Sequence, residues 1–258
     1  MSNYETLKVD RDGPLTTITL NRPERLNAMP PQMANEIGQV FYDLGDTRAV
    51  LITGEGKGFC SGADLSARSS GSKGGSHEAL SNHYNPMIAQ ILRSEVPVIC
   101  AVNGPAAGVG CSLALAGDFV IAGRSAYFLQ AFVNIGLIPD GGSTWMLARA
   151  IGRARATRMM MLGEKISAEQ AEEWGLIYKC VDDDALMDEA RALAEKLANG
   201  PTVAYAQMKR NIATSLDGSI QQVLMAEAEG QRIAGASSDA KEGGRAFLEK
   251  RKAQFTGA

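Results

Sequence analysis

Residues 96–123 read VPVICAVNGPAAGVGCSLALAGDFVIAG and contain a complete strand, turn, helix and strand pattern. The apolar run VPVICAVNG predicts a buried strand, small residues form the turn, and a short helix is expected from about Gly108. The run DFVIAG predicts the next strand. Parallel strands joined by helices cross over right-handedly, and successive units of this kind stack into a coil or an open sheet. The stretch therefore predicts an α/β fold.

The same alternation extends toward the N-terminus. The runs TLKV and LTTITL, separated by DRDGP, predict a hairpin because Asp, Gly and Pro interrupt two β-rich segments. The run AVLITG predicts a buried strand, and a helix is expected over roughly residues 79–94. Before that strand, helical spacing occurs at Met33, Ile37, Val40, Phe41 and Leu44.

Two regions depart from this alternation. Residues 66–81, SARSSGSKGGSHEALS, are rich in Ser and Gly, which predicts a mobile excursion that is either a lid over a binding site or a plain disordered loop. After residue 150 helical patterns dominate, and SAEQAEEWG opens with a Ser cap and closes with Gly. We expect an α/β core over residues 1–197 and a C-terminal helical region over residues 198–258.

The composition excludes several classes of function. A chain of 258 residues with 45% hydrophobic residues can bury one sizeable core or two modest ones. Its net charge of -3 is dispersed, which argues against nucleic-acid binding. No apolar stretch approaches the roughly 18 residues that span a bilayer, and the N-terminus is polar, so we expect a cytoplasmic protein without membrane segments. Reduced thiols are expected because no CxxC spacing occurs among Cys60, Cys100, Cys111 and Cys180. The two histidines, His77 and His83, lack a second metal ligand at helical spacing, so no metal site is expected.

Two glycine-bearing segments are candidates for a binding site. In KGFCSGADL, residues 57–65, glycines allow the backbone to approach a ligand, although this signal alone is weak. In residues 102–118, a helix N-terminus near Gly108 would offer unpaired N–H donors to an oxyanion or a phosphate. The alternative is that its small residues only allow tight packing of strand and helix.

Together with FLQAFVNIGLIPDGGSTWMLAR, residues 128–149, these segments closely resemble the enoyl-CoA hydratase/isomerase (crotonase) superfamily. The resemblance extends from NRPERLNA at residues 21–28 to FLEKRKAQF at residues 247–255. It implies a spiral of ββα units, a helical C-terminal region used for trimerisation, and a homotrimer or a dimer of trimers. It also implies an acyl-CoA thioester substrate, with no separate cofactor because CoA is part of the substrate.

The resemblance also implies how the thioester is activated. The backbone N–H groups of Ala63 and Val109 match the two donors of the family's oxyanion hole. Preorganised donors of this kind stabilise an enolate, and each is typically worth ~3 kcal/mol.

The hydratases of the family use two glutamates to add water, and this sequence departs from them at both positions. The matching residues are Ser112 and Phe132. A hydroxyl can hold a water but is a poor base, and a phenyl ring is none. A standard hydratase is therefore disfavoured, and a hydratase of low activity or a hydrolase acting through water on Ser112 stays as an alternative.

Asp140, in GLIPDGG, is the candidate acid/base. Its apolar neighbours favour a raised pKa and thus proton transfer in both directions. A lone Asp before Gly-Gly can equally form a turn or cap a helix opening at about Gly142. The resemblance favours the chemical role, because aspartate at this position acts in dienoyl-CoA isomerases, the ring-epoxide (1,2-epoxyphenylacetyl-CoA) isomerase and 4-chlorobenzoyl-CoA dehalogenase.

Residues 130–145, QAFVNIGLIPDGGSTW, are most similar to the ring-epoxide isomerase branch. The resulting hypothesis is an acyl-CoA isomerase that forms a thioester enolate and then shifts a double bond or isomerises a ring epoxide. A non-catalytic CoA-thioester binding protein is the alternative from another class.

The resemblance further implies residues that contact CoA. Arg25 matches a contact to the phosphates, Asp64 and Leu65 lie where the adenine sits, and Phe247 and Lys250 match a patch that reaches the CoA of an adjacent subunit. For the charged residues the alternative is an ordinary solvated surface position.

Overall fold

The computed structural model describes residues 4–66 and 75–258. The strands of this part of the chain are Leu7–Asp12 (β1), Leu15–Leu20 (β2), Ala49–Gly54 (β3), Val98–Val102 (β4), Pro105–Ala107 (β5), Phe119–Gly123 (β6), Tyr127–Leu129 (β7), Lys165–Ser167 (β8) and Lys179–Val181 (β9). Its α-helices are Pro31–Tyr42 (α1), Gly75–Ala79 (α2), Asn85–Leu92 (α3), Val109–Leu115 (α4), Ser143–Leu162 (α5), Ala168–Glu173 (α6), Leu186–Ala198 (α7), Thr202–Asp217 (α8), Ile220–Gly235 (α9) and Ser238–Leu248 (α10). Leu80–Tyr84 forms a π-helical turn between α2 and α3, and Ala131–Ile135 forms a 3-10 helix before α5.

The strands form two sheets. The larger has the order β1-β2-β3-β4-β6-β9, and the smaller has the order β5-β7-β8. β1 and β2 form an antiparallel hairpin, whereas β2, β3, β4, β6 and β9 are parallel. In the smaller sheet β5 and β7 are parallel and β8 is antiparallel to β7.

Consecutive segments contribute to both sheets in turn, which gives the chain its spiral path. β4, β5 and α4 form one turn of this spiral, and β6, β7 and α5 form the next. Two isolated parallel bridges, Cys60 to Ala106 and Met29 to Ala63, align the preceding turns with the smaller sheet. The ββα spiral predicted from the sequence is confirmed.

The central strands β3 and β4 of the larger sheet are buried on both faces, since alternate residues point to opposite faces and all of them are buried. In β3, Val50 and Ile52 belong to the main core, whereas Ala49 and Leu51 lie in a second cluster on the other face. α7 covers this second face, with Leu197 among its buried residues.

Several predicted elements match the observed ones closely. The hairpin, the helix α1 and the strand AVLITG occur where the sequence predicts them, and the Ser167 hydroxyl accepts a hydrogen bond from the Gln170 N–H at the start of α6. Local periodicity and capping chemistry are sufficient to define these elements.

Other predictions require correction. Residues 75–81 are helical and not part of an excursion, because α2 and the π-helical turn begin there; residues 67–74 lie outside the described residues. After residue 150 the chain also forms β8 and β9, which pair with strands far away in sequence. A three-residue strand has too little periodicity to be recognised locally.

The C-terminal region is helical, as predicted, and α8 packs against α9. The division at residues 197 and 198 stays a prediction. In the part of the chain that the structure describes, no helix has both the length and the apolarity to cross a bilayer.

Candidate active site

A cavity of about 550 Å³ lies where the loops after β3 and β5 meet the segment before α5. Among the residues that the structure describes, this cavity is lined mainly by apolar side chains and glycines, with few polar groups. Most of the lining is Gly62, Ala63, Leu65, Leu80, Asn85, Gly108, Val109, Phe132, Leu137, Ile138, Asp140 and Gly141. A concave apolar site with a small number of polar groups is typical of small-molecule binding.

The first candidate donor is the Ala63 N–H. The carbonyl of the same peptide group, Gly62 C=O, accepts a hydrogen bond of 2.7 Å from the Met29 N–H. Because a trans peptide holds C=O and N–H on opposite sides, the Ala63 N–H points away from Met29. Among residues 4–66 and 75–258 it has no acceptor, so it is available to a ligand in the cavity.

The second candidate donor, the Val109 N–H, is oriented in the same way. Gly108 C=O, in the same peptide group, accepts hydrogen bonds from Cys111 N–H at 3.0 Å and from Ser112 N–H at 3.2 Å. The Val109 N–H therefore points out of the N-terminus of α4, and within the described chain it has no acceptor either. Two peptide donors thus border one cavity.

Hydrogen bonds between the loop after β3 and strand β5 hold the segments of these two donors together. Cys60 N–H donates to Pro105 C=O at 3.0 Å, and Ala107 N–H donates to Cys60 C=O at 2.9 Å. Gly62 has a φ of +110°, and a Cβ there would lie 3.1 Å from the Ala107 carbonyl oxygen. Glycine is therefore required at position 62 by its backbone conformation and by the close approach of the second loop.

Asp140 and Phe132 both line the cavity. Asp140 is half-buried and lies in the turn before α5, where its carbonyl accepts a hydrogen bond of 3.1 Å from the Ser143 N–H. The N-cap of α5 is Gly142, so Asp140 is not the N-cap residue of this helix. Asp140 carries the one carboxylate among the described lining residues, and residues 67–74 contain neither Asp nor Glu.

Ser112 lies beneath the cavity rather than in its described lining. Its exposed fraction is 0%, and its hydroxyl contacts the Ser143 hydroxyl at 2.6 Å and the Asp140 carbonyl at 2.9 Å. The hydroxyl is thus committed to protein partners, which argues against its predicted role of holding a substrate or a water.

Asp64 is also turned away from the cavity, while its neighbour Leu65 lines it. The carboxylate accepts hydrogen bonds from the Ser66 hydroxyl at 2.6 Å and from Arg22 at 2.8 Å. The Ser66 hydrogen bond and the Arg22 guanidinium lower the pKa of Asp64 to about 2, against the opposing effect of burial. Its side chain therefore anchors the loop, and any adenine contact at this position would come from the backbone or from Leu65.

The remaining predicted CoA contacts lie on the surface. The Arg25 side chain is exposed, and its carbonyl accepts a hydrogen bond of 3.2 Å from the hydroxyl of Ser61, which lines the cavity. Phe247 is 82% exposed, Lys250 is exposed just after α10, and neither belongs to the described lining. Their predicted contact with CoA bound to an adjacent subunit stays a prediction.

Cys60 lies next to the candidate donors but is not suited to be a nucleophile. Burial raises the pKa of the Cys60 thiol to about 12, so the thiol is protonated at neutral pH. Its sulfur lies 3.9 Å from the Gly62 carbonyl oxygen. The residues that the structure describes contain no group of His, Cys, Asp and Glu side chains able to hold a metal ion.

Sequence reasoning missed several residues of the site. Leu80 and Asn85 reach the cavity from the two ends of the π-helical turn, and such turns are frequent at functional sites. Gln130 and Ser143 form a buried polar contact beneath it, at 3.2 Å. The available signal was a lone amide within the apolar run FLQAF and a serine directly after Gly-Gly.

Fold and site together place two peptide N–H groups and one carboxylate, among the described lining residues, around a single cavity of the size of a small-molecule site. The chain belongs to the enoyl-CoA hydratase/isomerase family, whose model matches residues 10–258, and thus to the crotonase superfamily.

Individual relatives agree with this assignment. The 1,2-epoxyphenylacetyl-CoA isomerase of Escherichia coli (strain K12) is 48% identical over 249 residues, covering 93% of this chain and 94% of the relative. The mitochondrial enoyl-CoA hydratase of Pongo abelii is 34% identical, covering 98% of this chain and 89% of the relative. The crystal structure of an enoyl-CoA hydratase from Bacillus anthracis superposes with a TM-score of 0.93 at 31% identity, covering 98% of this chain and 100% of that chain.

Proposed function

We propose that this chain is an acyl-CoA isomerase that forms a thioester enolate, with Asp140 as the acid/base. The observation that carries the proposal is the composition of the cavity, where two peptide donors are accompanied by a single described carboxylate. An isomerase needs one group that accepts a proton and returns it elsewhere on the conjugated system, whereas water addition in this family uses two carboxylates.

In the proposed reaction the thioester oxygen accepts hydrogen bonds from the N–H groups of Ala63 and Val109. The Asp140 carboxylate removes a proton from a carbon conjugated with the thioester, and the electron pair of that C–H bond moves onto the thioester oxygen. Asp140, now a carboxylic acid, returns the proton at another carbon, so the product is an isomer of the substrate.

The choice of isomerisation over hydration has two supports. Phe132 and Ser112 provide no second acid at the positions where the family's hydratases have glutamates, and Ser112 is outside the described lining. The 48% identity to an epoxyphenylacetyl-CoA isomerase supports ring-epoxide chemistry as the first reaction to assay. A double-bond shift uses the same groups and is the second.

The Asp140→Asn variant tests this proposal. The amide keeps the size of the side chain but cannot accept the proton, so isomerisation should fall at least ~100-fold while binding persists. Turnover of aliphatic and ring-epoxide acyl-CoAs, and the affinity for a non-reactive acyl-CoA, would be measured for both proteins.

Asp184→Asn is the matched control, because Asp184 is exposed and outside the described lining. It should keep wild-type turnover. If Asp140→Asn also keeps wild-type turnover, Asp140 is only a turn residue and the proposed mechanism fails.

A further inference from the structure

Three polar side chains are buried directly beneath the cavity. Ser112, Ser143 and Gln130 each have an exposed fraction of 0%, and none is in the described cavity lining. Burying polar side chains is costly unless their hydrogen bonds are satisfied. Such a cluster in an otherwise apolar layer therefore calls for a physical explanation.

The three side chains form one connected chain of hydrogen bonds that ends on the backbone of Asp140. Gln130 Nε2 donates to Ser143 Oγ at 3.2 Å, and the two serine oxygens are 2.6 Å apart. Both serine oxygens lie 2.9 Å from the carbonyl oxygen of Asp140.

The number of hydrogens limits how many of these contacts can be hydrogen bonds at one time. Two hydroxyl hydrogens serve the three contacts among the two serine oxygens and the Asp140 carbonyl, and the carbonyl can only accept. The Gln130 amide supplies a further donor from outside this triangle. Each serine hydroxyl can therefore donate either to the Asp140 carbonyl or to the other serine, and both lie within hydrogen-bond distance of that carbonyl.

Ser112 also contacts the peptide that carries the second candidate donor. Its hydroxyl lies 3.4 Å from the Gly108 carbonyl oxygen. That oxygen already accepts hydrogen bonds from the N–H groups of Cys111 and Ser112. Gly108 C=O and Val109 N–H belong to one planar peptide group, so the position of the carbonyl sets the direction of the N–H. One side chain thus contacts both the Asp140 backbone and the peptide of Val109.

The packing around Ser112 leaves little freedom for rearrangement. A Cβ on Gly141, the residue after Asp140, would lie 3.0 Å from Ser112 Cβ and 3.5 Å from Val109 Cγ2. The Asp140–Gly141 backbone therefore rests directly on Ser112 and Val109. Losing the hydroxyl would leave the Asp140 carbonyl with one hydroxyl donor fewer and a small void beneath it.

We propose that Ser112, with Ser143 and Gln130, is a positioning residue that aligns the Asp140 carboxylate with the Val109 N–H. The inference rests on the proposed function of Asp140. It adds a role for Ser112 that the sequence alone did not predict. Ser112 stands where the family's hydratases have a glutamate, and here it orients the acid instead of contacting substrate.

The test is the Ser112→Ala variant in the wild-type and Asp140→Asn backgrounds. In the wild-type background kcat for isomerisation should fall about 10- to 100-fold, as expected for a misplaced reactive group. Affinity for a non-reactive acyl-CoA should change less than about twofold, because Ser112 does not line the cavity. In the Asp140→Asn background, Ser112→Ala should cause no further loss, since no carboxylate remains to be aligned.

Ser143→Ala gives a second measurement and keeps the inference testable if Ser112→Ala folds poorly. It should also lower kcat, and the double variant should lose less than the product of the two single losses, because both hydroxyls serve one carbonyl. Thr53→Val is the matched control: it removes a buried hydroxyl that donates to Ala101 C=O at 3.0 Å in the larger sheet, so it should lower stability but not kcat.

The outcomes separate the two proposals. If Asp140→Asn is inactive while Ser112→Ala and Ser143→Ala keep wild-type kcat, the positioning role is wrong and the proposed function stands. An equal loss from Ser112→Ala in both backgrounds would mean a general structural role and would also overturn the inference. If Asp140→Asn is fully active, the proposed function fails and the positioning of Asp140 fails with it.

Discussion

At the scale of single residues, the candidate site depends on positions where a side chain would not fit. A Cβ on Gly110 would lie 2.3 Å from the Cys60 carbonyl oxygen and 2.8 Å from its sulfur. The Cys60 carbonyl is held by the Ala107 N–H, so it cannot move without separating the two loops. Glycine at position 110 therefore allows the close approach that brings the Ala63 and Val109 N–H groups to one cavity.

The Gly110→Ala variant tests this close packing. Its added methyl group should cost about 1–3 kcal/mol of unfolding free energy, as overpacking of a dense interior does, and should reduce turnover by displacing Val109. Urea denaturation and the isomerase assay would measure the two effects.

Gly235→Ala is the comparison, because a Cβ there meets nothing within 4 Å in α9. It should be neutral or stabilise the protein by up to ~1 kcal/mol through helix propensity. Unchanged stability and turnover of Gly110→Ala would show that the loops can separate without cost.

At the scale of elements, one ion pair fastens the loop of Ala63 to the segment before α1. Arg22 Nη1 donates to Asp64 Oδ2 at 2.8 Å and to Ala28 C=O at 2.6 Å. The Asp64 N–H donates to Met29 C=O at 2.9 Å, and the Tyr84 hydroxyl donates to the same carbonyl at 2.9 Å. The loop is therefore held by its backbone and by a buried carboxylate.

The contribution of the Arg22–Asp64 ion pair should appear in the pH dependence of the unfolding free energy. The folded pKa of Asp64 is about 2, below the unfolded value near 3.9, so its contribution is fully present above about pH 4 and is lost as the pH falls toward 2. Its size is about 2–3 kcal/mol, since the pKa differs by nearly two units and one unit corresponds to ~1.4 kcal/mol. Asp64→Asn should thus be destabilised at pH 7, and its deficit relative to wild type should shrink between about pH 4 and pH 2.

Unfolding free energies of the two proteins at several pH values would measure this difference. Asp184→Asn, which removes the same charge at an exposed position away from this ion pair, is the comparison variant. A deficit of Asp64→Asn that is constant from pH 7 to pH 2 would contradict the ion-pair account.

At the scale of the whole molecule, the C-terminal helices leave a large apolar surface uncovered. The exposed large apolar side chains of α8, α9 and α10 are Met208, Ile212, Leu216, Ile220, Leu224, Met225, Phe247 and Leu248. Patches of this kind on a folded chain mark sites of association. Self-assembly through this region is therefore expected, and a trimer or a dimer of trimers stays a prediction.

Light scattering tests the assembly. The wild-type chain should be a trimer or a hexamer at micromolar concentration, and Ile212→Glu with Leu224→Glu should give smaller species because charges would be buried at the contact. Tyr42→Glu, at an exposed position of α1, should keep the wild-type mass. A stable wild-type monomer would contradict the assembly and the CoA contacts expected of Phe247 and Lys250.

The fold was largely predictable because its main elements are encoded locally. The continuous apolar run of Val50, Leu51 and Ile52 predicts a strand buried on both faces, and the apolar spacing of Met33 and Ile37 predicts α1. The three-residue strands β5, β7, β8 and β9 were missed, since such a short strand is stabilised by its partners and not by its own pattern.

The sequence by itself determined the alternation of strands and helices, and its resemblance to the crotonase superfamily pointed to the spiral of ββα units, to Ala63 and Val109 as candidate donors and to Asp140 as the candidate acid. Tertiary structure alone decided which way the polar side chains face: Asp64 turns to Arg22, and Ser112 turns beneath Asp140. The physical reason is distance along the chain. A hydrogen bond between Ser112 and the Asp140 carbonyl joins residues 28 positions apart, so their relation exists only after the turns of the spiral have packed together.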